Sequence, residues 1–238
     1  MKDDFPAVTA PLTSAHYRYE RKFSIPALTP QAVEAIVKVN PANFSEIYSE
    51  RFVNNIYFDS INLKSYFDRI DGVNDSLKIR IRWYGRLFGY IETPVLELKI
   101  KNGPLGKKNV FLLKGFLFDN DFNLAKNHNV FRESDLPDVL KTNLASLEFS
   151  LLSRFKRKYF LSADHDFRIT IDSDIAYYKL KNHHNTFLHK IPGGSGAVLE
   201  LKYDQNKEDA AGGITNFLPF RVTKNSKYVK GVEILNSW

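Results

Sequence analysis

Between Ser76 and Tyr84 the chain reads SLKIRIRWY, an alternation that puts Lys78, Arg80 and Arg82 on one face of a strand and Leu77, Ile79, Ile81 and Trp83 on the other. Residues two apart on a strand lie roughly 6.6 Å from one another on the same side. Three cations so placed repel one another unless an anion sits against them. Phosphate suits them, because Arg forks bind its oxygens in pairs while Lys acts as a point charge. The pattern recurs along the chain. YRYERKF from Tyr17 groups Arg18, Glu20 and Lys22, and VLELKIK from Val95 groups Glu97, Lys99 and Lys101. FRITID from Phe167 sets Arg168, Thr170 and Asp172 opposite Phe167, Ile169 and Ile171; VLELKY from Val198 sets Glu200 and Lys202 opposite Leu199, Leu201 and Tyr203. The less regular SRFKRKYF from Ser153 offers Arg157 in an inward register.

A single such strand reads equally well as a solvated sheet face, but ordinary solvent faces carry Thr, Ser, Gln and mixed charge rather than Glu with Lys or Arg in nearly every strand. The inward candidates Arg18, Lys22, Lys78, Arg80, Arg82, Lys99, Lys101, Arg157, Arg168, Lys202 and Lys227 outnumber Glu20, Glu97, Asp172 and Glu200. An unpaired buried ion costs several kcal/mol, so these side chains are expected to line a wet, anion-holding channel. An eight-stranded barrel has an interior about wide enough for side chains or one small ligand. The carboxylates are hard oxygen donors, which makes Glu200, with Glu97 or Glu20 nearby, the expected place for Mg²⁺ or Mn²⁺. Such a channel suits phosphoryl transfer from a nucleoside triphosphate, with water or a phosphate chain as acceptor. It also suits a non-catalytic module that only binds polyphosphate.

The rest of the chain has to position these strands. Its 238 residues show no second composition regime, so residues 17–238 are expected to form a single β-rich domain behind a flexible lead-in at 1–16. The formal charge of +7 implies an acidic partner, and zero Cys excludes a disulfide framework, a thiolate zinc site and a Cys nucleophile. No apolar run is long enough to span a bilayer, and a cytoplasmic location is expected. RNA is not the expected partner, because Phe167, Trp83 and Tyr203 fall on the apolar faces rather than among the cations. Thr29-Pro30 opens a packing helix that stops at Asn40-Pro41. Arg51 to Asp59 reads as a strand, and Ile61 to Ile70 as a helix burying Leu63, Tyr66, Phe67 and Ile70. NGPLGKK from Asn102 turns a hairpin. Phe116 to Leu152 reads as helices and loops with Phe118, Phe122, Leu124, Leu140, Leu144 and Leu147 as core candidates. His183, His184 and His189 lie in a loop and lack the spacing of a metal site. After Tyr203 a polar helix is expected to break at Gly212-Gly213.

YERKF, Asp71-Gly72 followed by KIRIRWYG, LELK, SRFKRKYF, FRITID, VLELKY and NSKYVKG resemble, in order and over nearly the whole chain, the motifs of the VTC domain. That is the polyphosphate polymerase domain of the vacuolar transporter chaperone family, within the triphosphate tunnel metalloenzymes. The resemblance implies a mainly β (α+β) fold: a closed antiparallel eight-stranded β-barrel tunnel with a few packing helices. It implies that Lys22, Arg80, Arg82, Lys99, Arg157, Arg168 and Lys227 bind phosphate, with Lys202 beside them. Of these, Arg80, Arg82, Lys99, Arg168 and Lys202 are expected at the reacting phosphates; Lys22, Arg157 and Lys227, joined by Arg18, Lys78 and Lys101, are expected to hold substrate. Glu200 resembles the family's metal-binding glutamate, with Glu20 and Glu97 where related enzymes have further acidic residues. The implied reaction moves a phosphoryl group from ATP to a polyphosphate or pyrophosphate acceptor, with Mn²⁺ or Mg²⁺; hydrolysis of the triphosphate is the alternative. The eukaryotic relatives add an SPX sensor and membrane helices, which are not expected in this chain. Lys107 and Lys108 stand where the family usually continues with a basic strand.

Overall fold

The computed structural model describes residues 18–73, 75–102, 105–187 and 189–236; the lead-in expected at 1–16 lies outside them. In chain order the elements are β1 (Arg18–Ile25), α1 (Pro30–Lys38), β2 (Ser45–Asp59), α2 (Lys64–Ile70), β3 (Asp75–Tyr84), β4 (Gly89–Ile91), β5 (Val95–Asn102), β6 (Leu105–Leu112), β7 (Phe116–Phe118), α3 (Leu124–Glu133), α4 (Asp138–Ala145), β8 (Glu148–Leu161), β9 (Arg168–Tyr178), β10 (Lys190–Pro192), β11 (Ala197–Asp204), α5 (Glu208–Thr215) and α6 (Lys227–Leu235). The large sheet runs β10-β9-β11-β1-β6-β5-β3-β2-β8, its pairings among the described residues are antiparallel, and β8 also pairs with β9. The sheet is therefore a strongly curled half-barrel. Its thinnest seam lies between β1 and β6, where Arg18 opposite Gly106 is the pair among the described residues.

The alternation read in the sequence decides what goes outside. Apolar faces turn away from the hollow of the curl and are covered by helices. α1 and α5 put Val33, Val37, Ala211 and Ile214 against Phe23, Phe160, Ile169, Leu199 and Leu201. On the far side α3, α4 and the small β4–β7 sheet cover Trp83, Leu96 and Leu152 with Phe116, Phe118, Phe122, Phe131 and Leu144. Each such large side chain contributes about 1.5–3 kcal/mol by leaving water. α6 docks separately: Tyr228 and Val232 pack on Tyr57, Leu151 and Tyr177. Gly231 lets that approach happen, since a Cβ there would stand 2.7 Å from Tyr177 and 2.8 Å from Leu151.

Local expectations fail where tertiary packing overrides pattern. α5 runs unbroken through Gly212 and Gly213, because Ala211 and Ile214 are buried on either side and Thr215 Oγ1 donates to Ala211 O at 3.0 Å. α2 begins at Lys64, after Leu63 in the left-handed region at φ 52°. Its Phe67 and Ile70 are half exposed rather than buried, at 52% and 51%. β2 starts six residues earlier than read, at Ser45. Among the described residues no helix is long and apolar enough to cross a membrane.

Candidate functional site

The polar faces enclose a cavity of about 460 Å³. Its first wall is β3 against β5, where register sets Arg80 opposite Glu97. Arg80 Nε donates to Glu97 Oε2 at 2.7 Å and a second guanidinium nitrogen lies 2.5 Å from the same oxygen. Arg82 Nε donates to Asn55 Oδ1 at 2.8 Å, and its NH1 stands 3.6 Å from Glu97, to which Lys108 of β6 also donates at 3.1 Å. Burial would raise the Glu97 carboxyl, but Arg80, Arg82 and Lys108 outweigh it and hold it well below the usual range. Glu97 is 3% exposed and stands behind the two arginines, fixing their forks.

The opposite wall is β8 against β9, where Arg157 pairs in register with Asp172. Arg157 donates to both Asp172 oxygens, at 2.5 and 2.7 Å, and Lys227 at the start of α6 makes a third short bond to Asp172. Burial would lower the Arg157 guanidinium, yet Asp172 drives it well above its ordinary value. Lys227, isolated in sequence, reaches the site because Ser226 caps α6, its Oγ accepting from Val229 N at 3.4 Å.

The floor is β1 against β11, with Lys22 opposite Glu200 and Glu20 opposite Lys202. Lys22 lies 3.5 Å from both glutamates, Lys202 lies 3.2 Å from Glu200 and 3.6 Å from Glu20, and Lys99 donates to Glu20 at 2.9 Å. Arg157 approaches Glu200 to 3.7 Å. Burial and Glu200 would raise the Glu20 carboxyl, but Lys22, Lys99 and Lys202 bring it down to about 2. Lys99 moves the other way, down to about 8, through burial and then the charges of Lys22 and Lys202, with Glu20 opposing.

The structure thus brings together Lys22, Lys78, Arg80, Arg82, Lys99, Arg157, Lys202, Lys227, Glu20 and Glu200 around one cavity. Arg18 and Arg168 also border it, as exposed residues, and Arg18 Nε donates to Asp204 at 3.2 Å. Lys101 lies in β5, and its side chain is outside the described residues. Lys108, Tyr57, Tyr84, Tyr159 and Ser226 line the cavity without having been singled out as site residues. Lys108 stands in register with Lys99, but after Asn109 the strand continues as the apolar VFLL, which hid the alternation of β6. The inward face of β2, Val53, Asn55 and Tyr57, carries too little charge to announce itself.

The donor set fits a divalent cation only in part. Glu20 and Glu200 share Lys22 and Lys202, and Thr170 Oγ1, buried opposite Glu200 in register, has no hydrogen-bond partner. Among the described residues no three His, Asp or Glu converge as a ready cage, and the loop histidines are no exception. Mg²⁺ and Mn²⁺ accept this arrangement: one or two carboxylates, with waters and substrate phosphate oxygens completing the shell. Among the described residues Glu97 pairs with Arg80, Arg82 and Lys108, none of which pairs with Glu20 or Glu200.

The fold of paired charged strands curled around a cationic cavity has a counterpart among solved structures. A Hippeastrum protein named as a candidate adenylyl cyclase, and described as having a dominant triphosphatase activity, is similar at 13% identity and TM-score 0.52, covering 90% of this chain and 93% of its own. A candidate adenylate cyclase from Bacillus halodurans is similar at 13% identity and TM-score 0.48, covering 89% and 95%. One from Vibrio parahaemolyticus gives 12% identity and TM-score 0.48, covering 90% and 97%. At these identities the likeness is one of fold. No curated protein matches by sequence. The VTC domain family model matches residues 17–236, and the chain belongs to that family.

Proposed function

We propose that the protein is a metal-dependent phosphotransferase that takes the γ-phosphoryl group of ATP and adds it to a polyphosphate or pyrophosphate acceptor held in the same cavity. The observation that carries this reading is the convergence of Lys22, Lys78, Arg80, Arg82, Lys99, Arg157, Lys202 and Lys227 on one cavity with Glu20 and Glu200 among the carboxylates on its wall. The eight strands β9, β11, β1, β6, β5, β3, β2 and β8 would close fully around a bound chain, tightening the β1–β6 seam. Closure focuses the field and removes bulk water, so each charge-assisted contact to phosphate is worth about 1.5–3 kcal/mol.

In this reading Arg80, Arg82 and Arg157 are oriented before substrate arrives, because Glu97, Asn55 and Asp172 fix their guanidinium planes. They would neutralise charge on the equatorial oxygens of the transferring group, with Lys99, Lys202 and Arg168 around the reacting phosphates and Arg18, Lys22, Lys78, Lys101 and Lys227 holding the remainder. Glu200, with Glu20, would hold the divalent cation, which would supply positive charge at the phosphates, and Glu97 would act as counter-charge to Arg80 and Arg82. A terminal oxygen of the acceptor attacks the γ-phosphorus, the bond to the β–γ bridging oxygen breaks, and ADP leaves with that electron pair. No side-chain nucleophile is needed, and the protein contributes alignment and electrostatics. We place the protein in the cytoplasm, where its nucleotide is found.

Hydrolysis is the second reading, favoured by the triphosphatase description of the Hippeastrum neighbour. Incubation with ATP and Mn²⁺ or Mg²⁺, following ADP, free phosphate and chain phosphate together, separates the two. A polymerase gives ADP matched by chain phosphate after a lag that a short primer shortens. A hydrolase gives free phosphate without chains, and absence of ADP formation with either metal would refute both.

A further inference from the structure

Asp59, the last residue of β2, carries a buried carboxylate that lies outside the lining of the cavity. It is 3% exposed, and among the described residues no cation pairs with it. Such a group is costly away from water unless hydrogen bonds replace the lost hydration. Four donors do so. Ser60 N and Ser65 N donate to Oδ1 at 2.8 and 2.9 Å, and Tyr66 N donates to Oδ2 at 3.1 Å. The side chain thereby caps the first turn of α2, whose own N-cap residue, Leu63, offers no acceptor. The fourth donor comes from elsewhere in the fold: the phenol of Tyr228, in the first turn of α6, makes a short bond to Oδ2. Burial first, and then Asp59, push that phenol well above its ordinary value, so it remains a donor; Ser150 Oγ donates to its oxygen at 3.3 Å.

The same turn of α6 delivers Lys227 to Asp172, beside Arg157. Its upstream support is the segment 222–226, which takes up the free edge of β1. Thr223 N donates to Lys22 O at 2.7 Å and Lys22 Nζ to Asn225 O at 3.1 Å, and the segment borders a second hollow of about 320 Å³ with Lys78, Lys99, Arg69 and Lys224 on its walls. This anchorage sets Ser226, whose Oγ accepts from Lys78 at 2.7 Å. The helix beyond it could swing about that point. Val232 packs on Leu151 and Tyr177, and the Tyr228 ring lies 5.3 Å from that of Tyr57, but apolar packing has little directionality. The Lys227 bond to Asp172 does not fix the turn either, because the ammonium rides on a flexible four-carbon stem and Arg157 already engages both Asp172 oxygens. The directional contacts on the outer side of the turn are those of the Tyr228 hydroxyl.

We propose that Asp59 and Tyr228 are a positioning pair for phosphate binding: the phenol, tied to a carboxylate that three backbone N–H groups hold in place, fixes the first turn of α6 so that Lys227 stands beside Asp172 and Arg157. This rests on the larger cavity being the triphosphate site. Asp59 acts through Tyr228, and Tyr228 through Lys227.

The test is calorimetric titration with tripolyphosphate, at fixed salt and without divalent metal, of the wild type, Tyr228→Phe, Lys227→Met and the double variant, with thermal unfolding of each. Tyr228→Phe keeps the ring on Tyr57 and removes only the hydroxyl. It should still unfold cooperatively yet bind tripolyphosphate about tenfold more weakly, the scale of one hydrogen bond to a charged group. In the Lys227→Met background the same substitution should change affinity by less than about twofold, since the residue it positions is gone, whereas a merely structural loss would be equal in both backgrounds. Equal losses, or a Tyr228→Phe protein within twofold of the wild type, would overturn the proposal. Asp59→Asn keeps an acceptor for Ser60 N and Ser65 N but turns an amide toward the phenol. It should reproduce the Tyr228→Phe loss and add nothing to it when the two are combined; additive losses would overturn the pairing. If Tyr228→Phe fails to fold, Asp59→Asn in the two Lys227 backgrounds carries the same comparison. A wild type that binds tripolyphosphate while every Tyr228 and Asp59 variant matches it overturns this inference alone; a wild type that does not bind overturns the reading of the larger cavity as well.

Discussion

Replacing Lys78 with Met should stabilise the empty protein and weaken its hold on phosphate. The Lys78 ammonium faces Arg69 of α2, Lys22 and Glu20 of β1, Arg80 of its own strand, Lys99 of β5, and Ser226 with Tyr228 at the start of α6; its pKa falls from 10.5 to about 6. Unfolding releases it to its ordinary value, so the unfolded chain binds a proton that the folded one refuses. The penalty is absent above about pH 10.5, grows as pH falls and is complete near pH 6. At neutral pH the difference is about 3.5 units, or an upper limit of about 5 kcal/mol, which water in the hollow reduces to about 1–3 kcal/mol. For a chain of this size that is a rise in Tm of about 3–10 °C. Thermal unfolding followed by circular dichroism in phosphate-free buffer, at intervals from about pH 6 to 10, measures it. Lys78→Met should melt higher, the gap should widen toward low pH, and added tripolyphosphate should close it by stabilising the wild type more. A variant less stable than the wild type at neutral pH, or a gap that does not change with pH, would refute the reasoning.

Asp172→Asn leaves Arg157 and Lys227 without their carboxylate in a fully buried position, and calorimetry should show a loss of about 3–5 kcal/mol. Glu200→Gln should lower metal-dependent turnover by at least about a hundredfold and weaken Mn²⁺ binding measured by electron paramagnetic resonance; unchanged Mn²⁺ affinity would remove Glu200 from the site. Arg80→Ala with Arg82→Ala should abolish nucleotide use, checked by ADP release, because both forks that Glu97 and Asn55 orient are lost. The Glu20 carboxyl, lowered from 4.5 to about 2, contributes stability above its unfolded value that is lost as pH falls through the folded one. The urea midpoint should therefore drop between about pH 4.5 and 2, and drop less in Glu20→Gln.

Strict alternation made the inward faces of β3, β5, β9 and β11 legible, because one slip of register would bury the cations and expose Trp83, Ile169 and Leu199. Glu97 was legible as an inward carboxylate but its partners were not: only the register against Arg80, and the arrival of Lys108 from β6, show which cations it pairs with. Arg69 and Lys224 gave no signal at all. One sits on a short helix whose spacing speaks of packing, the other in a segment without periodicity, and they meet only because the segment 222–226 takes up the free edge of β1. The break expected at Gly212-Gly213 failed for a similar reason: flanking burial of Ala211 and Ile214 offsets the roughly 1 kcal/mol that each glycine costs a helix.

The central claim, that the charged strand faces form a triphosphate site, is tested most directly by a crystal structure of the protein with Mn²⁺ and a non-hydrolysable ATP analogue, using the anomalous signal of manganese to place the metal. The triphosphate should lie in the larger cavity with its oxygens within hydrogen-bonding reach of Arg80, Arg82 and Arg157, and the manganese should be bound by Glu200 and phosphate oxygens. A triphosphate seated on the outer surface, with the inward arginines still paired only to Glu97 and Asp172, would contradict the account.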